Sequence, residues 1–173
     1  MKTPPVGATP NFLEKHYLYE LVMLKRTHAA IQKLISPQPS DLVQFGINTL
    51  VESFAIHARS LIDFFGGATA KTDDAIASHF TAQPFTGTAT AAVSPDVRDR
   101  MNKQIAHLTY TRETPTQKFN SADQAILLQA IDTDHKAFVQ AVLPQFAWVF
   151  LRSPGTVPVP PETPGVTNTI QSY

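Results

Sequence analysis

The stretch Leu42-Val-Gln-Phe-Gly-Ile-Asn-Thr-Leu-Val-Glu-Ser-Phe-Ala-Ile-His-Ala-Arg-Ser-Leu-Ile-Asp-Phe-Phe65 decides the fold. Its apolar residues surround much of the circumference of a helix, as is typical of a central helix in a bundle. Ser40 or Asp41 can cap its first turn, and Gly66 and Gly67 supply a stop signal at its end. The stretch therefore predicts a long, mostly buried helix against which other helices pack.

A first helix is predicted upstream, from about Phe12 to Ile35. Apolar residues recur there at steps of three and four, and Asn11 is a fair N-cap with Glu14 three residues later. The two prolines of the segment 36–40 end this helix, because proline lacks an amide donor. Since the break is short, we expect the second helix to fold back antiparallel to the first.

Two more helices are predicted downstream. Ser94 reads as an N-cap followed by proline at the first helical position, and the third helix continues to about Arg112. The fourth begins at Asn120 or Ser121 and continues to about residue 152, with a kink at Pro144. Between the second and third helices, residues 72–80 form one or two helical turns, and Phe80 and Phe85 pin the long connection to the core.

The predicted architecture is an all-α fold, an antiparallel bundle of four main helices plus a short helix. The chain has 173 residues, of which 43% are hydrophobic, enough for one core of ordinary size. We expect a single domain over residues 11–152. A proline-rich leader over 1–10 and a proline-rich, extended or disordered tail over 153–173 flank it.

Composition narrows the classes of function. Fourteen Lys and Arg balance fourteen Asp and Glu, so any contact with nucleic acid depends on a local patch. Cysteine is absent, which excludes disulfides and thiolate catalysis and fits a cytoplasmic location. The sequence predicts no membrane span, no cofactor and no metal site. A metal site of the carboxylate-bridged kind is not expected, because the sequence has no Glu-x-x-His pair. Asp132, Asp134 and His135 are interpreted as solvated helix surface.

The third helix carries the densest set of reactive side chains. Arg100, Lys103 and His107 fall along one stripe at about 100° per residue, next to an apolar stripe that packs. On the second helix, Glu52, Arg59 and Asp63 lie within about 20° of one line. We favour a buried ion-pair network for these three over a catalytic acid set. His57 is interpreted as a core histidine with one hydrogen-bond partner, although it could reach His107 across the two helices.

The segment Asn102-Lys103-Gln104-Ile105-Ala106-His107 follows Arg100 in an all-helical chain. This arrangement resembles the HEPN superfamily of nucleotide-binding and RNA-cleaving helical domains, whose signature places arginine four to six residues ahead of histidine. The chain departs from the commoner form at Met101, where that form has arginine directly before the asparagine. The chain also resembles a group of bacterial proteins that share Glu-Ser-Phe-x-x-His-x-Arg-x-Leu-x-Asp-Phe.

The resemblance implies a metal-independent ribonuclease or RNA-binding domain that acts as a homodimer. Cleavage through the 2′-hydroxyl needs a base, an acid and positive charge on the phosphorane-like transition state. His107 would act as base or acid, with Arg100 on the phosphate and Asn102 orienting the site. Residues assigned to substrate binding are Lys103, Arg59, His57, Glu52, Asp63 and Arg112. The alternative function is a non-catalytic helical interaction or dimerisation module, in which the polar motifs tie helices together.

Overall fold

The computed structural model describes residues 7–66, 74–106 and 118–151 of the chain. These residues are mostly helical, and within them β-pairing is limited to an isolated bridge between Thr81 and Val142. The predicted all-α class is confirmed. The tail over 153–173 and the first six residues of the leader lie outside the described residues.

The first helix, α1, is a continuous run of three pieces: an α turn at Pro10–Phe12, a π-helical segment at Leu13–Tyr17 and an α-helix at Leu18–Leu34. Its N-cap is Thr9, whose Oγ1 accepts a hydrogen bond from the Phe12 amide at 3.2 Å. The predicted cap at Asn11 is wrong, because Pro10 fits the first helical position and starts the helix earlier.

The second helix, α2, spans Asp41–Gly66 and begins where the Ser40 hydroxyl accepts from the Val43 amide at 3.4 Å. It runs opposite to α1. Tyr17 near the start of α1 packs on Phe64 near the end of α2, with ring centroids 4.8 Å apart. Further along α1, the ring of His28 packs on Phe54.

The helices α3 (Pro95–Ala106) and α4 (Ser121–Ala141) complete the set of long elements. α3 packs on α2, and α4 contacts both α2 and α1. Asn120 caps α4 through its side chain, and the Asp123 carboxylate accepts in return from the Asn120 amide. The predicted continuation of α3 from residue 107 to Arg112 falls outside the described residues.

The predicted kinked extension of α4 is wrong. α4 ends at Ala141, and Val142 and Leu143 are both extended, with ψ of 142° and 144°. Proline disfavours helical backbone in the residue before it, so Pro144 ends the helix instead of bending it. Two short pieces follow, an α turn at Pro144–Ala147 and a 3-10 turn at Trp148–Phe150.

The connection between α2 and α3 is held down by aromatic side chains, as predicted. Phe80 is fully buried, and Phe85 packs on the rings of Phe65 and Phe138. Its regular structure comprises a 3-10 turn at Ala77–His79 and a short helix at Thr88–Ala91. The connection thus adds apolar surface to one end of the helix pair.

Burial along α2 is uneven. The buried residues of α2 begin at Phe54, whereas Leu42 and Phe45 are 79% and 69% exposed. The prediction of a mostly buried helix therefore holds for the carboxyl-terminal half of α2 only. The ring contacts between α2 and α4 lie in that half, where Phe64 and Phe65 pack on Phe138. Over the same described residues, none of the helices is both long and apolar enough to cross a bilayer.

Candidate functional site

Arg100 is fixed in place by α4. Its Nε and Nη2 donate to the two carboxylate oxygens of Asp123 at 2.8 and 2.6 Å. Asp123 is buried, and the same carboxylate accepts from the Asn120 amide. These hydrogen bonds raise the pKa of Arg100 above its usual value, so the guanidinium stays charged. The bidentate pair locks α3 to α4 at the start of α4.

Two buried amide oxygens, Asn102 Oδ1 on α3 and Gln124 Oε1 on α4, have no hydrogen-bond partner among the described residues. The same holds for Nε of Arg98, although its Nη2 donates to the Thr90 carbonyl oxygen. Buried polar atoms in native proteins nearly always have a partner, so each exception needs an explanation.

Of the other two residues predicted on the α3 stripe, Lys103 lies at the surface and His107 lies outside the described residues. Lys103 forms an ion pair with Asp99 one turn earlier, at 2.6 Å. His107 and Arg112 lie outside the described residues. The structure therefore places Arg100 at the junction of α3 and α4. Asn102 lies two residues later, about 200° around the helix, and His107 is next in the chain after the last described residue of α3.

The polar residues of α2 do not converge on this junction. Glu52 is exposed, and Arg59 meets Asp63 at 3.8 Å with more than half of each side chain in solvent. The predicted buried network is wrong, because these residues share the solvent-facing side of α2 with Ile56, which is itself 49% exposed. An ion pair in this position contributes little to stability.

His57 faces α1 instead. It is buried, its Nδ1 lies 2.8 Å from Glu20 Oε2, and Tyr19 packs edge-on against its ring. The prediction of a core histidine with a hydrogen-bond partner is confirmed. Glu20, the partner of His57, was not predicted from the sequence. It lies three residues after Tyr17, which puts it on the side of α1 that packs against α2, and this spacing could have identified it.

Asp134 lies in the core, so its interpretation as solvated helix surface is wrong. It is 1% exposed, and its carboxylate accepts from the amides of Ala89 and Thr90 at 3.0 and 2.7 Å. It therefore caps the short Thr88–Ala91 helix from α4. A Cβ at Gly87 would lie 2.4 Å from Asp134 Oδ2, so the close approach of backbone and carboxylate needs glycine there.

His135 is also tied into the fold. Its Nδ1 lies 2.7 Å from the Tyr17 hydroxyl. Burial lowers the pKa of His135 to about 4 and raises that of Tyr17 well above its usual value, so both groups are uncharged near neutral pH. Asp132, next to them, is held near a pKa of about 2 by hydrogen bonds from Lys136 and Lys25. Of Asp132, Asp134 and His135, only Asp132 has the surface environment that was predicted for all three.

A cavity of about 280 Å³ opens between α1, α2 and the residues before Ala77. We call it the aromatic cavity, because the rings of Phe12, Tyr17 and Phe64 line it together with Glu20 and Asp74. No group of three metal-ligating side chains converges within the described ranges, in this cavity or elsewhere. The chain's described residues thus contain a polar junction of α3 and α4 and a separate aromatic cavity.

No family model, curated protein or solved structure matches this chain. Arguments about function therefore rest on the geometry above.

Proposed function

We propose that this protein is a helical module that associates with a second copy of itself through the outer face of α2. We define this face by Leu42, Phe45, Thr49 and Ile56, which lie within about 60° of one line along the helix. The observation that carries the proposal is exposure: three of these four side chains are large and apolar, and each is about half exposed or more. Large apolar side chains exposed along one side of a helix are typical of an interaction site.

A second copy is the partner that the charge and spacing favour. The chain has zero formal net charge, so two copies do not repel each other at long range. In a twofold interface each residue meets its counterpart symmetrically. We place the twofold axis at the midpoint between Leu50 and Val51, because an antiparallel pair of α2 helices in that register puts each Phe45 against Ile56 of the other copy.

Sedimentation equilibrium tests the proposal over a protein concentration of about 1 μM to about 200 μM, which covers micromolar dissociation constants. We expect a dimer that the double substitution Leu42→Ser and Phe45→Ser converts to a monomer. Ile126→Ser is the matched control, because Ile126 is 46% exposed but lies on α4. A monomeric wild type over the whole range, or loss of the dimer in the control as well, contradicts the proposal.

A second candidate function is a HEPN-like, metal-independent ribonuclease or RNA-binding site at the junction of α3 and α4. Its support is that two buried amide oxygens, Asn102 Oδ1 on α3 and Gln124 Oε1 on α4, have no donor among the described residues, while Arg100 between the same two helices is held in place by Asp123. An amide that only held helices together would have its oxygen paired. The resemblance then assigns His107 as base or acid, Arg100 and Lys103 to the phosphate, and Asn102 to orientation.

Incubation of purified protein with single-stranded RNA in a chelator tests this second candidate. We expect cleavage, reduced about 100-fold or more by His107→Ala, which is the scale of general acid-base catalysis. His16→Ala is the control, because His16 is an exposed histidine on α1. Intact RNA, or equal cleavage by the His107→Ala variant, contradicts the ribonuclease. Self-association is measured separately, so the two candidates fail independently.

A further inference from the structure

We infer that Asp41 of one copy pairs with Arg59 of the other, and that these two symmetric ion pairs set the direction and register of the dimer. The inference rests on the proposed self-association through the outer face of α2. It concerns the charged edge of that face, which we define by Asp41, Asn48, Glu52 and Arg59. All four side chains are exposed, and they lie within about 40° of one line along the helix.

Asp41 and Arg59 both have charge available for a partner. Asp41 forms no ion pair in the part of the chain that the structure describes. Arg59 lies 3.8 Å from Asp63, which is beyond hydrogen-bond distance, and 52% of its side chain is exposed. Because a guanidinium carries five N–H donors, Arg59 can bind a second carboxylate and keep its contact with Asp63.

The spacing of the two residues matches an antiparallel pair of α2 helices. Asp41 lies about nine residues before the twofold axis between Leu50 and Val51, and Arg59 lies about nine residues after it. A twofold axis that is perpendicular to both helices keeps the charged edge of one copy next to the charged edge of the other. Each Asp41 is therefore level with Arg59 of the other copy, on the same side of the contact.

The inner residues of the charged edge fit the same register. Asn48 and Glu52 lie about two residues to either side of the axis, so each Glu52 faces Asn48 of the other copy. The Asn48 side-chain oxygen accepts from Gln44 Nε2 at 2.9 Å. Its two amide N–H groups are donors that point to other partners, and a carboxylate is the acceptor that the second copy supplies.

A parallel pair of α2 helices cannot form these contacts. Asp41 and Arg59 are 18 residues apart in the chain, which is about 27 Å along a helix. In a parallel twofold pair both helices start at the same level, so the acid of one copy and the base of the other stay separated by this length. The charge pattern therefore favours the antiparallel arrangement over the parallel one.

Charge reversal tests the inference, with sedimentation equilibrium of the full chain at about 50 mM salt, where screening is weak. Asp41→Arg places two arginines together at each end of the contact, and Arg59→Asp places two acids there. We expect either change to raise the dissociation constant of the dimer about tenfold or more. The double variant Asp41→Arg, Arg59→Asp restores opposite charges, so its dissociation constant should return to within about threefold of the wild-type value.

Asp96→Arg is the matched control, because Asp96 is an exposed acid in the first turn of α3, as Asp41 is in the first turn of α2. It should leave the dimer unchanged. Melting temperatures of the variants establish that each is folded. A double variant as weak as the single ones, or equal weakening by the control, overturns the ion pair and leaves self-association standing. A monomeric wild type overturns both.

Discussion

The two ends of the α1 and α2 pair have a similar apolar composition and opposite environments. At one end, which we call the aromatic end, Tyr17 packs among the rings of Phe64, Phe65 and Phe138. At the other, the hairpin tip over residues 34–53, the apolar side chains Leu42 and Phe45 lie mainly in solvent. The difference indicates that the aromatic end holds the monomer together, and in the proposed dimer the tip's apolar residues contact the second copy.

The largest expected effect compares one phenylalanine from each end. Phe138 is fully buried, so Phe138→Ala should lower the free energy of unfolding by about 3 to 5 kcal/mol. Phe45→Ala should change the stability of the monomer by no more than about 0.5 kcal/mol. Urea unfolding at low protein concentration measures both. Similar losses in the two variants would remove the distinction between the ends.

The next effect concerns the buried acid that supports the aromatic end. Asp134→Ala leaves the amides of Ala89 and Thr90 buried without an acceptor, and we expect a loss of about 2 to 3 kcal/mol. Asp132→Ala is the matched control two residues away, because its partners Lys25 and Lys136 are on the surface. It should cost less than about 1 kcal/mol. A control loss as large as that of Asp134→Ala would contradict the capping role.

Acid should weaken the aromatic end through His135. Its pKa is about 4 in the folded protein and about 6.5 in an unfolded chain, so only the unfolded state binds a proton between these values. This contribution to stability is therefore complete above about pH 6.5 and decreases by about 3 kcal/mol as the pH falls to 4. Asp132 adds nothing in this window, because its folded pKa of about 2 moves its contribution below about pH 4.

Melting temperatures of the wild type and His135→Gln between pH 7 and pH 4.5 check this sign. Glutamine can accept from the Tyr17 hydroxyl but does not titrate, so the variant should show a shallower decrease. An equally steep decrease in both proteins would assign the acid sensitivity to other groups.

The smallest effect is a gain. Gln124 is buried, and its amide oxygen has no partner in the part of the chain that the structure describes. Gln124→Met, which keeps the size of the side chain, should therefore stabilise the protein by about 1 kcal/mol. Thermal unfolding measures it, with Gln129→Met on the exposed side of α4 as the control. A loss of stability in Gln124→Met would show that its side chain has a structural role.

The all-α fold could be predicted from the sequence because its signals are local. Apolar spacing, the proline break over 36–40 and the caps at Ser94 and Asn120 each act within a few residues. The predicted start of α1 and the predicted end of α4 were wrong, because prolines set these two boundaries, Pro10 at the first and Pro144 at the second. Apolar spacing shows that one face of a helix is apolar, but it does not show which neighbouring helix covers that face. The exposure of Leu42 therefore could not be predicted.

The polar contacts were predicted less well for the same reason. Arg100 and Asn102 could be singled out from their positions on α3, but the partner Asp123 lies on another helix. From the sequence, Asp134 was interpreted as a surface residue, because only the tertiary fold brings the Thr88–Ala91 helix into contact with its carboxylate. His57 was placed correctly, whereas its partner Glu20 depends on the register between α1 and α2.

Crosslinking at a single introduced cysteine tests the role of the hairpin tip most directly, because the natural chain has none. In the proposed antiparallel pair, Thr49 lies close to the twofold axis, so Thr49→Cys in each copy should be joined rapidly by a short bis-maleimide at low protein concentration. Gln129→Cys on the exposed side of α4 should be joined only slowly. Rapid crosslinking of the first alone is the predicted result, and equally slow crosslinking of both would contradict self-association through α2.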